Sequence, residues 1–284
     1  MNKDQCDDIV TTVNDPLDLT GMALSAGSQK LFYMNIRNTT TTPKQRRRTR
    51  MNLAMTQYTI FNINGETPTS AQVWKNIRGF LWKSLHGTYK IGEFWDKIPN
   101  WEHRGNCGLC GALELMEHIL IECESPASRT IWRAAKDLWH KRESNWPDIR
   151  FGTILGCNLA TFRNAKGKKK LGSIRLFKIL VLESAHLIWK LRCERTIKFG
   201  GDKDKYHSKT EILNRWIHAM NMRLKFDWLL TNSMRYGKKA LKIEMVLQTW
   251  SSVLQNEDNL PDNWIRKSEV LVGMAPRHPP GRNR

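Results

Sequence analysis

The sequence predicts a mainly α-helical protein, with several amphipathic helices arranged around a small zinc knuckle. Three observations lead there. Apolar residues recur at helical spacing in five stretches, strict two-residue alternation is scarce, and one compact C-x2-C-x7-H-x4-C cluster interrupts the helical pattern. With 284 residues, 40% of them hydrophobic and 12 of them Trp, the chain can bury a core and build roughly two domains or one large one.

The first helix is expected from about Arg50 to Asn62, ending at Gly65, with Met51, Ala54, Met55 and Tyr58 on its buried face. Thr69 or Ser70 caps the next, which carries Val73, Trp74, Ile77, Phe80 and Leu81. Ser125 and Pro126 supply an N-cap and a first-turn proline for a third, whose inward stripe is Ile131, Trp132, Ala135, Leu138 and Trp139. Phe177, Val181, Ser184, Ile188 and Leu191 line a long fourth helix that stops at Gly200-Gly201. Ser208 with Glu211 opens a fifth in a capping-box pattern, and Leu213, Trp216, Ile217, Met220, Leu224 and Trp228 form its face. A weaker sixth runs from Leu241 to Leu254. Trp and Met stripes at these spacings read as core, so no named Trp is given a stacking role.

Four segments follow: residues 1–49 as a flexible basic arm, 50–145 as a helical zinc-binding segment, 146–273 as a C-terminal helical domain, and 274–284 as a basic tail. The stretch 164–170 also reads as a flexible loop.

Charge narrows the class of partner. There are 46 Lys plus Arg against 27 Asp plus Glu, a net charge of +19 that calls for a polyanion, nucleic acid first. The positive charge is concentrated in three windows without any carboxylate, Leu19 to Gly65, Ile149 to Leu182, and the residues between Asp227 and Glu244. The first holds Lys44, Arg46, Arg47, Arg48 and Arg50; the second holds Lys166, Lys168, Lys169 and Lys170. These nine are the candidate nucleic-acid contacts, because phosphate neutralisation needs cations free of internal acids. The run Pro43 to Arg50 reads equally as a nuclear-import signal or as a phosphate-binding arm. No apolar run of membrane-spanning length occurs, and the acidic start lacks the apolar core of a secretory signal, so a nuclear or cytoplasmic location is expected. In such a reducing compartment the six cysteines are thiols or metal ligands rather than a disulfide framework.

Cys107, Cys110, His118 and Cys123 lie within 17 positions. A C-x2-C turn brings two thiolates within reach of one tetrahedral ion, and Gly108 and Gly111 permit the tight backbone that such a knuckle requires. His118 and Cys123 are five apart, about 140° around an ideal helix, so the helix must loosen or stop near Glu122 for both to meet one ion. With all four ligands used, one Zn2+ would be structural, with no open position for activating water. The spacing is not that of the C2H2 DNA-reading finger.

That cluster is preceded by Phe80-Leu81-Trp82-Lys83-Ser84-Leu85-His86-Gly87 and followed by Ile131-Trp132. Together they resemble the zinc-binding segment at the C-terminal end of reverse transcriptases from non-LTR (LINE-like) retrotransposons. Ser184 to Arg192, Leu247 to Ser251 and Asn256-Glu257-Asp258 are similar to the tail of fungal elements of this type, and Gly21 to Ile36 resembles the segment that follows RNase H there. The likeness covers roughly residues 20–273, most specifically 74–140. It implies a region that helps to hold RNA or DNA beside upstream polymerase and RNase H domains.

The chain itself lacks a Tyr/Phe-x-Asp-Asp polymerase signature. Its N-terminal carboxylates Asp4, Asp7, Asp8, Asp15 and Asp18 crowd into 15 residues, with no room for the sheet that metal-dependent nucleases use. No P-loop, G-x-G-x-x-G or H-E-x-x-H occurs. The expected function is therefore zinc-stabilised nucleic-acid binding without catalysis. A remnant acting as a protein-interaction scaffold is the alternative, and a surviving ribonuclease ranks last.

Overall fold

A computed structural model describes residues 46–267 and 269–276. Lys44, the N-terminal carboxylates from Asp4 to Asp18 and the tail from 277 onward lie outside the described residues. Within them the fold is mainly helical. No strand forms, and pairing is limited to the isolated bridges Asn106–Leu113, Arg163–Lys169 and Leu254–Val272. The chain runs through α1 (Arg47–Asn64), α2 (Ser70–Asn76), α3 (Gly79–His86), α4 (Pro126–His140), α5 (Phe151–Gly156), α6 (Leu171–Cys193), α7 (Lys209–Leu229), α8 (Ser233–Tyr236) and α9 (Ile243–Trp250). No helix among the described residues is long and apolar enough to cross a membrane.

Caps set the starts where the sequence put them. Thr69 and Gln72 close a reciprocal capping box on α2, and Ser125 Oγ accepts the Ser128 N–H ahead of Pro126 on α4. Ser208 accepts the Glu211 N–H to open α7, but Glu211 turns its carboxylate to His207 Nδ1, 2.6 Å away, instead of closing the box.

Three expectations about helices need correction. The single helix expected after Thr69 is two, because Ile77 is extended and Gly79 takes a positive φ of 55° between α2 and α3. The last helix is shorter than 241–254; it ends at Trp250, with Ser252 left-handed just beyond. The third concerns the buried face of α1, which is Thr49, Asn52, Leu53, Thr56, Thr59 and Ile60, while Met51 and Tyr58 are exposed. Gly152 and Gly156 on α5 explain the reversal. A Cβ at Gly152 would overlap the Met55 carbonyl and one at Gly156 the Ile60 side chain, so two glycines let the helices cross in close contact. Thr56, Thr59 and Ile60 of α1 lie in that crossing, and the threonine hydroxyls bond to carbonyls of their own helix, Thr56 to Asn52 and Thr59 to Met55. Asn52 Nδ2 meanwhile donates to the Leu85 carbonyl at the end of α3, 2.9 Å away.

Helix α6 is the axis of the core. It is apolar on most of its circumference and packs against α4, α5, α7 and α9. Trp139, Trp146, Phe162 and Phe177 meet mostly edge-on between α4 and α6, with ring centroids 5.1 to 5.8 Å apart. One hydrophobic cluster extends from Leu53 to Val272 and so joins the segments on either side of residue 146.

Candidate metal centre

The knuckle begins as the chain leaves a short 3-10 turn, Glu102–Gly105. Glu114 N–H donates to the Gly105 carbonyl and Cys107 N–H to the Ala112 carbonyl, so residues 105–114 fold back on themselves. Gly111, at φ 74°, makes the reversal, and its N–H donates to Cys107 O at 2.8 Å. This turn presents Cys107 and Cys110.

The other two ligands come from a π-helical turn, His118–Glu122. Its closing bond runs from Cys123 N–H to His118 O, 2.7 Å, five residues back. That wider ring resolves the difficulty that an ideal helix would set the two side chains about 140° apart. Ser125 and Pro126 then start α4 immediately, so the π turn cannot continue.

The four ligand atoms all lie within 4.8 Å of one another. Cys107 Sγ is 3.8 Å from Cys123 Sγ, and Cys110 Sγ is 3.3 Å from His118 Nε2. A tetrahedral ion with Zn–S bonds of about 2.3 Å sets its sulfurs about 3.8 Å apart, so the donor set fits a metal ion of this kind. Cys107, His118 and Cys123 are buried and Cys110 is exposed. Electrostatics also favour a cation. Burial acts to raise the Cys107 thiol, but the N–H groups of Leu109 and Cys110 and the His118 side chain hold it down at about 7. At Cys123 burial, with the charge of Cys107 beside it, pushes the thiol up to about 11. Two adjacent thiolates are costly here without a positive ion between them.

Residues outside the predicted set support the centre. His118 Nδ1 faces Glu122 Oε2 at 3.8 Å, beyond hydrogen-bond reach, while Nε2 lies beside Cys110 Sγ and is the ligand nitrogen. Glu114, 2% exposed, makes a bidentate pair with Arg192 at the end of α6, and Arg195 lies 3.8 Å away. This buried pair docks the knuckle on the core. Neither is expected as a partner from the sequence: the i+4 spacing from His118 is a signal that could point to Glu122, but nothing local links Glu114 to a residue 78 positions on.

The basic candidates divide. Asn164 Oδ1 accepts the N–H groups of Lys166 and Lys168, Gly167 takes φ 75°, and Lys170 N–H donates to Phe162 O, so the stretch expected to be a flexible loop is a tight turn. Lys166, Lys168 and Lys169 are exposed on it, without an ion-pair partner among the described residues. Lys170 is different: its ammonium is 2.8 Å from Glu143 Oε2, and Ser173 holds the other carboxylate oxygen. Arg48 is likewise engaged, with Glu93 at 3.0 Å, while Arg46, Arg47 and Arg50 are exposed. The metal-ligand cluster precedes α4 in the chain and the Lys166–Lys169 turn follows it.

No family model matches the chain, and no curated protein or solved structure matches it.

Proposed function

We propose that this chain is a zinc-stabilised nucleic-acid-binding segment, akin to the C-terminal part of a non-LTR retroelement reverse transcriptase and without catalysis of its own. The observation that carries this reading is the Asn164-centred turn. It ties the backbone of Lys166 and Lys168 into one turn that leaves Lys166, Lys168 and Lys169 exposed, while the neighbouring carboxylate, Glu143, is already paired with Lys170. Ammonium groups grouped on such a turn suit phosphates, which give affinity without sequence preference. The four-ligand cluster supports the same reading as an organising site: Cys107, Cys110, His118 and Cys123 would hold one Zn2+, which supplies cross-linking energy rather than reactivity. RNA or DNA is the partner, upstream polymerase and RNase H domains are further ones if a parent polyprotein is made, and the site of action is the nucleus or cytoplasm.

Gel shifts at several salt concentrations test this. Each neutralised phosphate adds about 0.7 to 0.9 to the salt slope of log K, so the combined Lys166→Ala, Lys168→Ala and Lys169→Ala variant should flatten that slope by about two to three. Lys170 is left intact because its loss would disturb Glu143. Weak binding at low salt for every nucleic acid, or an unchanged slope in the variant, would end the proposal. The second reading, a protein-interaction scaffold, would then gain from the exposed Met51, Tyr58 and Phe61 on α1.

A further inference from the structure

Between Lys90 and the knuckle the chain makes two short 3-10 turns, Gly92–Lys97 and Glu102–Gly105, that leave large rings on the surface. Phe94 is 39% exposed and Trp101 43%. The rings form one connected run. Phe94 meets Trp95 edge-on at 5.3 Å, Trp95 lies 6.4 Å from Trp101, and Trp101 stacks with His103 at 6.3 Å and 21°. Cations are threaded through it: the Arg104 guanidinium sits 3.9 Å over Trp101 and 5.4 Å from Trp95, and Lys90 Nζ lies 5.6 Å over Phe94.

Two acids of the same stretch are engaged, since Glu93 pairs with Arg48 and Glu102 accepts the Asn100 N–H, while Asp96 is exposed. The Arg48–Glu93 pair also fixes the first turn of α1, with exposed Arg47 and Arg50, next to this run. Rings and cations therefore alternate on one surface that leads directly into Cys107.

We propose that Phe94, Trp95, Trp101, His103 and Arg104 form a base-stacking surface for single-stranded nucleic acid, with Arg47, Arg50 and Lys97 taking its phosphates. The proposal rests on the nucleic-acid-binding reading above and adds which form is bound and where. A duplex conceals the faces of its bases, whereas an unpaired strand offers them, and an exposed indole flanked by a guanidinium binds such faces without demanding a sequence. A purely apolar partner would leave Arg104 and Lys97 desolvated.

The test uses the full-length, zinc-loaded chain and fluorescence anisotropy on three labelled probes: a single strand, the same strand with abasic sites, and the duplex. The wild type should bind the single strand tightest. Trp101→Ala should weaken that binding by about tenfold, within the range for loss of one stacked base, and leave the abasic strand and duplex unaffected. Trp101→Phe should restore most of the loss. Retained zinc content shows that each variant is folded. If the wild type binds all three probes alike, or Trp101→Ala changes nothing, stacking is overturned while nucleic-acid binding stands, and the aromatic run becomes a surface for a protein partner. If the wild type binds no probe at low salt, the reading of the previous section fails, and this one with it.

Discussion

Two buried carboxylates, both paired with arginines of α6, sit in contrasting surroundings. At one end of the helix Arg175 grips Asp227 of α7 through two bonds of 2.6 Å, and Asp227 also accepts the Trp250 indole N–H at 2.9 Å. Arg175 reaches Thr249 of α9 as well, so three helices share one satisfied polar network inside an apolar core. At the other end Arg192 grips Glu114, but Glu114 belongs to a turn whose next neighbours are the metal ligands and surface-exposed Leu109 and Leu113. The first network closes upon helices that already bury their own faces. The second anchors the turn of residues 105–114, whose leucines Leu109 and Leu113 lie on the surface, and there a bound metal would supply what burial does not. The lesson is that one helix can carry the same ion pair twice, once as a lock within the core and once as a tether for something held by other means.

The widest separation between the two ends is expected on metal removal. Structural zinc peptides show apparent binding energies of about 10 to 16 kcal/mol, so chelation or Cys110→Ser should unfold the turn of residues 105–114 and leave α6, α7 and α9 protected. Metal analysis together with hydrogen exchange by segment reads this out. Purified protein without zinc, or full zinc occupancy in Cys110→Ser, would contradict the assignment, and equal loss of protection at both ends would erase the contrast.

The reverse perturbation comes next in size. Asp227→Ala leaves the partly buried Arg175 and the Trp250 indole N–H without their partner, at a cost of about 3 kcal/mol, and should lower the denaturation midpoint without loss of zinc. Asp227→Ala that released the metal would show that the two ends fold as one unit.

At the seam, Ser125→Ala removes the N-cap of α4 that terminates the π turn. A cost of about 1 kcal/mol is expected in thermal melts. A larger effect on zinc affinity than on stability would place Ser125 in the metal site itself.

The smallest effect is electrostatic and involves Glu194, which follows α6. Hydrogen bonds from Arg215, against the opposing effect of burial and with help from His207, hold its carboxyl at about 2 rather than its ordinary 4.5. A lowered carboxyl contributes stability above its unfolded value and loses it as pH falls, here between about 4.5 and about 2. The pair is solvent-screened, so the change is modest. Glu194→Gln should flatten stability against pH in that window; an identical curve would show the contact to be idle.

Much was determined by the sequence alone. Helical periodicity with Thr69, Ser125-Pro126 and Ser208 placed the main helices, because caps act over three or four residues. The spacing of Cys107, Cys110, His118 and Cys123 marked the metal cluster, since short loops can deliver ligands to one point with little help. Other features were decided only by packing. Met51 and Tyr58 of α1 face solvent because Gly152 and Gly156, almost 100 positions later, bring a backbone close against Thr56, Thr59 and Ile60 instead. Periodicity identifies a stripe but cannot say what will lie against it. The same holds for Lys170, drawn from the basic surface by Glu143, and for the pairs of Arg175 and Arg192, whose partners lie 52 and 78 positions away. Such contacts exist only once the helices have assembled, since charge and hydrogen-bonding groups have no direction until a fold gives them neighbours.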